Sequence, residues 1–196
     1  NSPIKQAVKF LKESLSRWTI HTFIYLPFFF RFFIGLILLI LSWCFPMSPG
    51  VALWLDKNYP PIALTYDVLG LCVIIGIGGA TMRRFQKAFR NRPSAGQDII
   101  VLALLGAILI TGFIVEGLRI LLTAIPPSMA LYSFVGYPIS LFLGLFPIRW
   151  EWVYPYGWYA HAILTGLFII YLPFSKMFHI LVSPMVLLIQ SVTKEK

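Results

Sequence analysis

Two histidines lie near the two ends of the last long apolar segment of the chain. His161 and His179 are 18 residues apart in GWYAHAILTGLFIIYLPFSKMFHILV. In one continuous α-helix this spacing is roughly five turns and about 27 Å, close to the thickness of a bilayer core. Both imidazoles then point to the same side, one near each membrane face. Because imidazole nitrogen is a common axial ligand of haem iron, the pattern predicts a helix that offers an iron ligand at each face.

A third histidine, His21, stands at the start of the first apolar segment. If the first and last segments both cross the membrane, His21 lies at the same depth as His179. Haem iron commonly takes two axial nitrogens from facing helices of a bundle. We therefore predict that His21 and His179 bind the iron of one haem b. The alternative is a set of lone interfacial histidines, which is less favoured because ionisable groups inside a membrane are costly.

His161 has no second histidine at its own depth, so this chain alone cannot build a bis-histidine haem there. Two alternatives stay open. His161 binds a second haem whose sixth position is open or weakly filled, with Met129 as a distant candidate, or it donates a hydrogen bond to a quinone. A protonatable side chain beside a quinone helps to transfer the protons that accompany the quinone's two electrons.

Glu116 and Arg119 lie three positions apart in TGFIVEGLRI and share one helical face. Charges at that depth need a partner and often mark a pathway. They either form an ion pair that closes the helix end or line the outer haem or quinone site. In the second case Arg119 holds a propionate or a quinone carbonyl, and Glu116 relays protons.

Four further cations stand at the depth of the inner haem and are candidate partners for its propionates. We expect only one or two of them to contact haem, since most such charges set the orientation of the chain in the membrane. They are Arg17, Arg83, Arg84 and Lys176.

A set of glycines in the second apolar segment leaves one side of that helix without bulk. This would let either a flat macrocycle or a neighbouring helix approach the backbone closely. The residues are Gly70, Gly76, Gly78 and Gly79.

The composition places all of these residues in a membrane. The chain of 196 residues is 59% hydrophobic and only 12% charged, with a mean hydropathy of +0.83. A soluble domain of this composition would expose too much apolar surface. The net charge of +9 mainly reflects membrane orientation, and no nucleic-acid-binding module accompanies it. Cys44 and Cys72 have no metal-ligand spacing and are expected to be small buried hydrophobes.

The predicted fold is an all-α polytopic membrane helix bundle. Residues 1–20 read as a basic amphipathic helix on the cytoplasmic face, and residues 21–196 as a haem-binding transmembrane bundle. Prolines break the stretch 126–150 into short helices at the outer face. The four spans are about 21–45, 62–82, 98–123 and 157–182.

The basic loop RRFQKAFRNR (83–92) sets the predicted orientation, because cytoplasmic loops are enriched in Lys and Arg. Four spans then place the C-terminus in the cytoplasm as well. We expect a multi-pass protein of the cytoplasmic membrane of a prokaryote.

Several of these segments resemble the membrane cytochrome b subunits of the respiratory nitrate reductase gamma and heterodisulfide-reductase-linked family. HAILTGLFIIYLPFSKMFHILVSP resembles the closing helix, in which a His, an apolar run, Pro-Phe/Tyr-Ser-Lys and a second His recur. YDVLGLCVIIGIGGATMRRF (66–85) and TGFIVEGLRI (111–120) resemble two other spans. His21 occupies the position of the first-span histidine in the heterodisulfide-reductase-like branch.

The resemblance implies a b-type cytochrome subunit of a respiratory redox complex. It would carry electrons between a menaquinone-type carrier, or an outer-side cytochrome, and a cytoplasmic iron–sulfur subunit of the heterodisulfide reductase type. Other membrane subunits and a multihaem cytochrome c are further partners that it implies. Residues 62–82 lack the two histidines of the nitrate reductase branch, so nitrate is not carried over as a substrate. IRWEWVYPYGWYAHA lacks the additional histidine of many relatives, so a conventional outer haem is not carried over from the resemblance.

Two other classes compete with an electron carrier. A carrier-type transporter would show internal repeats, and none stands out in this sequence. A haemless structural anchor is the stronger rival, because its helices would only need to dock partner subunits.

Overall fold

The computed structural model shows a bundle of four long helices with short helices in two of the connections. It describes residues 3–88, 96–175, 182, 186 and 190, and side chains from Ser14 onward except at 17, 87, 88 and 96–98. A 3₁₀ turn at Leu172–Phe174 follows the last helix. The helices are α1 (Pro3–Cys44), α2 (Pro49–Leu55), α3 (Pro60–Ala88), α4 (Gly96–Thr123), α5 (Pro127–Ala130), α6 (Gly136–Gly144) and α7 (Trp150–Tyr171).

Within the described part of the chain, four segments are long and apolar enough to cross a membrane. Their mean hydropathies run from 1.3 to 2.6. Even the shorter ones, of 25 residues, reach about 38 Å as helix, which exceeds a bilayer core. The predicted all-α fold with four spans is therefore confirmed. The segments are Ser14–Cys44, Pro49–Gln86, Ile99–Thr123 and Trp150–Phe174.

The outer surface of the bundle is apolar, as expected for a protein whose solvent is lipid. Phe30 and Ile37 on α1 are each 53% exposed, and Ile170 on α7 is 68% exposed. Exposure of such side chains to water would be unfavourable, whereas their contact with lipid acyl chains is not.

Neighbouring long helices run antiparallel. Gly79 of α3 lies against Ile20 of α1, and Gly76 of α3 lies against Ile24 of α1. The two helices therefore run in opposite directions. A Cβ at Gly76 would come within 3.0 Å of the Ile24 backbone nitrogen. Close helix packing therefore accounts for Gly76 and Gly79, whereas a Cβ at Gly78 would meet nothing within 4 Å.

This arrangement gives the bundle two ends. We call the end formed by residues 45–59 and 124–149 the connection end. The hydrophobic core packs in the half of the bundle away from it, around Leu105 of α4 and Val73 of α3. Its remaining buried members are Ile24, Val101, Leu109 and Phe168.

The proline-rich stretch 126–150 forms the short helices α5 and α6, as the sequence predicts. Pro127 occupies the first position of α5, where its missing N–H costs nothing. α6 packs on α4 through Gly117, at which a Cβ would lie 2.6 Å from the Ile139 side chain.

The last helix departs from the prediction. α7 ends at Tyr171, and Ser175 has extended backbone (φ −97°, ψ 160°). Pro173 lacks an N–H and clashes with the preceding turn, which kinks or ends a helix, and the extended backbone of Ser175 ends this one. The expectation of one unbroken helix over 157–182, on which His161 and His179 align after five turns, is therefore wrong. His179 and Lys176 lie outside the described residues.

Candidate functional site

A cavity of about 560 Å³ lies between α1, α3, α4 and α7, in the half of the bundle nearer the connection end. Val73, Leu105 and Leu109 of the core close it on one side. Its volume falls in the range of cofactor and ligand pockets, about 300–1,000 Å³. Of the residues that the sequence analysis assigned to the outer site, three line this single cavity: His161, Glu116 and Arg119.

The imidazole of His161 is oriented by Thr111 on the facing helix. Its Nδ1 lies 3.1 Å from the Thr111 Oγ1, and that hydroxyl lies 2.7 Å from the Ala107 carbonyl of its own helix. The carbonyl only accepts, so it takes the hydroxyl proton and Oγ1 accepts from Nδ1–H. This leaves the lone pair of Nε2 available as a hydrogen-bond acceptor or a metal ligand.

Gly112 makes room for this imidazole on α4. A Cβ at position 112 would lie 3.1 Å from the His161 Cε1 and 3.6 Å from its Nδ1. The absent side chain therefore allows the ring of His161 to lie against the helix backbone.

Arg31 and Lys57 add positive charge to the cavity wall, and neither was among the site residues predicted from the sequence. The Arg31 Nη1 donates to the Tyr66 carbonyl at 3.0 Å, and its guanidinium lies 4.8 Å from the Tyr66 ring centroid. The Lys57 Nζ lies 4.1 Å from the same centroid. A charge in the middle of the apolar run LPFFFRFFIG was the signal that could have identified Arg31.

Glu116 and Arg119 form an ion pair, as one of the two sequence-based alternatives holds, and both also line the cavity, whose use as a haem or quinone site stays a prediction. The Arg119 Nη2 lies 3.7 Å from the Glu116 Oε1. Arg119 also donates to the Asn58 side chain and, at 3.4 Å, to the Lys57 carbonyl. Glu116 accepts a hydrogen bond from the Ser133 Oγ at 3.1 Å.

Asp67 is a second carboxyl at this place, and its role was not predicted. It is fully buried on α3, and its Oδ2 accepts from the Val135 N–H at 2.7 Å. Its side chain comes within hydrogen-bonding reach of Glu116. The connection between α5 and α6 thus holds both carboxyl groups, one through Ser133 and the other through Val135.

His21 lies outside this cavity. It is about 15 Å along the α1 axis from Arg31, toward the end opposite the connections, and its ring stacks on Tyr25 at 5.2 Å. Since His179 lies outside the described residues, their pairing on one iron stays a prediction. Arg83 and Arg84 lie half-buried at the same end of α3, while the Arg17 side chain, like Lys176, is not described.

Met129 is not among the residues that line the cavity, and it is 37% exposed on α5. The structure therefore does not bring this distant candidate for a sixth iron ligand to His161.

Comparison with known proteins agrees with this architecture. The chain matches the family described as Nitrate reductase gamma subunit over residues 30–194. The chain belongs to the nitrate reductase gamma subunit family. It is a multi-pass membrane subunit of a redox complex engaged in electron transport, and the family of cytochrome b subunits suggests haem b as cofactor.

One curated relative is "EtfAB:quinone oxidoreductase" from Syntrophomonas wolfei subsp. wolfei (strain DSM 2245B / Goettingen). It is 28% identical over 189 residues, which cover 88% of this chain but 25% of the relative. The chain thus spans about a quarter of that protein's length. No solved structure matches the chain.

The cavity's donor set fits haem only in part. The Nε2 of His161 offers one axial nitrogen, and Arg31, Lys57 and Arg119 could pair with anionic groups. The described lining residues include no second imidazole and no thioether for the other side of an iron. These residues therefore suit a ligand that takes one imidazole nitrogen and is stabilised by nearby positive charges.

Proposed function

We propose that this member of the nitrate reductase gamma subunit family is a b-type cytochrome that carries electrons between a quinone-type carrier and a cytoplasmic iron–sulfur subunit. The observation that carries the proposal is the meeting of His161, Glu116 and Arg119 in one cavity. These residues come from two helices and were selected from the sequence for redox and proton chemistry. These three residues and Arg31 line the same cavity inside an apolar bundle, which supports a functional site there.

The cavity beside His161 suits a quinone. A quinol hydroxyl can donate to the Nε2 of His161, because the contact with Thr111 commits Nδ1–H elsewhere. Arg31 and Arg119 supply donors for a quinone carbonyl and stabilise negative charge on the ring. Apolar side chains of α1, such as Phe32 and Leu36, line the same space and also face lipid, where such a carrier dissolves.

The printed name of the relative from Syntrophomonas wolfei includes a quinone as substrate, which supports this choice. A second haem at His161 is the other candidate, favoured by the accessible Nε2 and the neighbouring cations. The two candidates differ in the number of haems that each polypeptide carries.

At the opposite end of the bundle, His21 and His179 would hold haem b, which supplies one-electron transfer when bound. Arg83 and Arg84 are candidates to pair with its propionates, together with Arg17 and Lys176.

An iron–sulfur subunit of the heterodisulfide reductase type would dock at this cytoplasmic end, and a multihaem cytochrome c is a partner candidate for the other face. The host membrane would be the cytoplasmic membrane, with the C-terminus inside.

The test is a haem count with reduced-minus-oxidised spectra on the purified complex. We expect one haem b per polypeptide, lost in His21→Ala and in His179→Ala. His161→Ala serves as the matched control, since it should keep that spectrum and lose quinol oxidation. Two haems per polypeptide, one of them lost in His161→Ala, would favour the haem alternative. Absence of any b-type band would leave a haemless structural anchor.

A further inference from the structure

Asp67 and Glu116 bring two carboxyl groups into contact where α3 and α4 meet the connection end. Their side chains lie within hydrogen-bonding reach of each other. Asp67 is 0% exposed, and its Oδ1 has no hydrogen-bond partner although that atom is buried. A buried oxygen without a donor is costly, so a missing proton is the simplest explanation.

The surroundings hold both carboxyl groups in place. Val135 N–H binds the Asp67 Oδ2 and the Ser133 Oγ binds the Glu116 Oε1, so one short connection fixes the two side chains. Gly136 leaves the space that Glu116 fills, since a Cβ at 136 would lie 2.7 Å from its Cγ and 2.8 Å from its Cδ. Such a fixed contact between two ionised carboxylates would be strongly repulsive.

The cations nearby do not replace the proton. Arg119 on α4 is 3.7 Å from Glu116 but directs its donors to Asn58 and the Lys57 carbonyl. Arg31 on α1 donates to the Tyr66 carbonyl, and the Lys57 ammonium lies over the Tyr66 ring. The other titratable groups that face the cavity are the phenols of Tyr66 and Tyr154 and the imidazole of His161.

We propose that Asp67 and Glu116 share one proton at neutral pH and that this acid pair is the proton-exchanging group of the cavity. Glu116 is the member on the cavity wall, with 15% of its side chain exposed, and Asp67 is the buried member that keeps the proton in place. The shared proton supplies the hydrogen bond that the Asp67 Oδ1 lacks.

The exchange rests on the proposed function of the cavity. A quinol that gives two electrons, one at a time, to the haem b of the proposed function and through it to an iron–sulfur subunit would also release two protons. The Nε2 of His161 takes one of them, and the acid pair takes the other and becomes doubly protonated. Neither proton has to cross the apolar half of the bundle.

Infrared spectra of the purified complex at neutral pH test the shared proton. We expect a protonated-carboxyl carbonyl band that shifts in D₂O and is lost in both Asp67→Asn and Glu116→Gln. Glu151→Gln, at an exposed residue of α7, is the matched control and should keep the band. A band that survives either substitution, or that is missing from the wild type, overturns the shared proton.

A second variant guards against substitutions that simply prevent folding. Gly136→Ala keeps both carboxyl groups but must displace Glu116, so the band should shift, whereas Gly106→Ala, where a Cβ meets nothing within 4 Å, should leave it unchanged. An unshifted band in Gly136→Ala counts against the pair.

Quinol oxidation tests the exchange separately. Glu116→Gln should lower kcat about 100-fold with an unchanged haem spectrum, as expected for loss of a general base. Unchanged turnover in Glu116→Gln overturns the exchange. If the band is present but the wild-type complex neither oxidises quinol nor reduces quinone, the proposed function fails and the shared proton stands.

Discussion

The Nδ1 of His161 on α7 lies 3.1 Å from the Oγ1 of Thr111 on α4. The Thr111 hydroxyl bonds a carbonyl of its own helix, and this fixes which imidazole nitrogen carries the proton. Thr111 thereby presents the Nε2 lone pair of His161 as the acceptor for a bound group, and the backbone of Ile108 is a further hydrogen-bond partner of the imidazole. Outer partners of this kind orient functional histidines in many proteins.

Thr111→Val removes the hydroxyl while nearly keeping the shape of the side chain. We expect the apparent KM for quinol to rise about fivefold, equivalent to about 1 kcal/mol for one lost hydrogen bond. Steady-state quinol oxidation by the complex measures this change. Thr65→Val is the matched control, because the Thr65 hydroxyl donates to the Pro61 carbonyl of its own helix and Thr65 does not line the cavity. Equal effects in the two variants would contradict a role for Thr111 in orienting His161.

Gly112→Ala would push the His161 imidazole away from α4, because the new methyl carbon would lie 3.1 Å from Cε1. We expect a clear loss of quinol oxidation with retention of the haem at the opposite end. Gly106→Ala, six residues away on the same helix, meets open space and should stabilise the helix by up to about 1 kcal/mol. Comparing turnover and thermal denaturation of the two variants checks the prediction. Loss of turnover in Gly106→Ala would point to helix propensity and not to His161.

Sequence periodicity predicts contacts between residues of one helix, but it does not predict contacts between residues of two different helices. Glu116 and Arg119 were recognised as neighbours because spacing of three residues is a property of a single helix. Asp67 is 49 residues from Glu116 along the chain, and no spacing rule relates them. Their contact depends on the register between α3 and α4 and on the connection that carries Ser133.

The four spans were predictable because hydropathy and length depend on composition alone. The end of α7 at Tyr171 was not predicted, because the run of apolar residues continues beyond Tyr171 whereas the α-helical backbone conformation stops there. Pro173 carried the signal, since proline inside an apolar segment ends or kinks a helix.

Arg31 supplies a guanidinium to the cavity from the middle of the first span. Arg31→Gln should raise the dissociation constant of a quinone-site inhibitor about tenfold, equivalent to about 1.4 kcal/mol. Arg31→Lys should recover only part of this, because an ammonium lacks the planar set of donors. Arg149→Gln is the control, since Arg149 is exposed and lies over the Trp152 ring outside the cavity. Inhibitor titrations of quinol oxidation give the constants, and full recovery in Arg31→Lys would mean that charge alone matters.

Arg119 joins α4 to the turn before α3, through the Asn58 side chain and the Lys57 carbonyl. Arg119→Gln should release this turn, so amide hydrogen exchange over residues 56–59 should become faster. Asn58→Ala should produce the same local change because it removes the partner of Arg119. Glu116→Gln keeps the contact between Arg119 and the turn, so exchange there should stay near the wild-type rate.

Hydrogen exchange followed by mass spectrometry separates these three variants. The expected result is faster exchange in Arg119→Gln and Asn58→Ala only. If Glu116→Gln loosens the turn as strongly, then the ion pair at 3.7 Å positions the guanidinium, and Arg119 cannot hold the turn without it. Because Lys57 lies in the same turn and lines the cavity, a loosened turn should also weaken inhibitor binding.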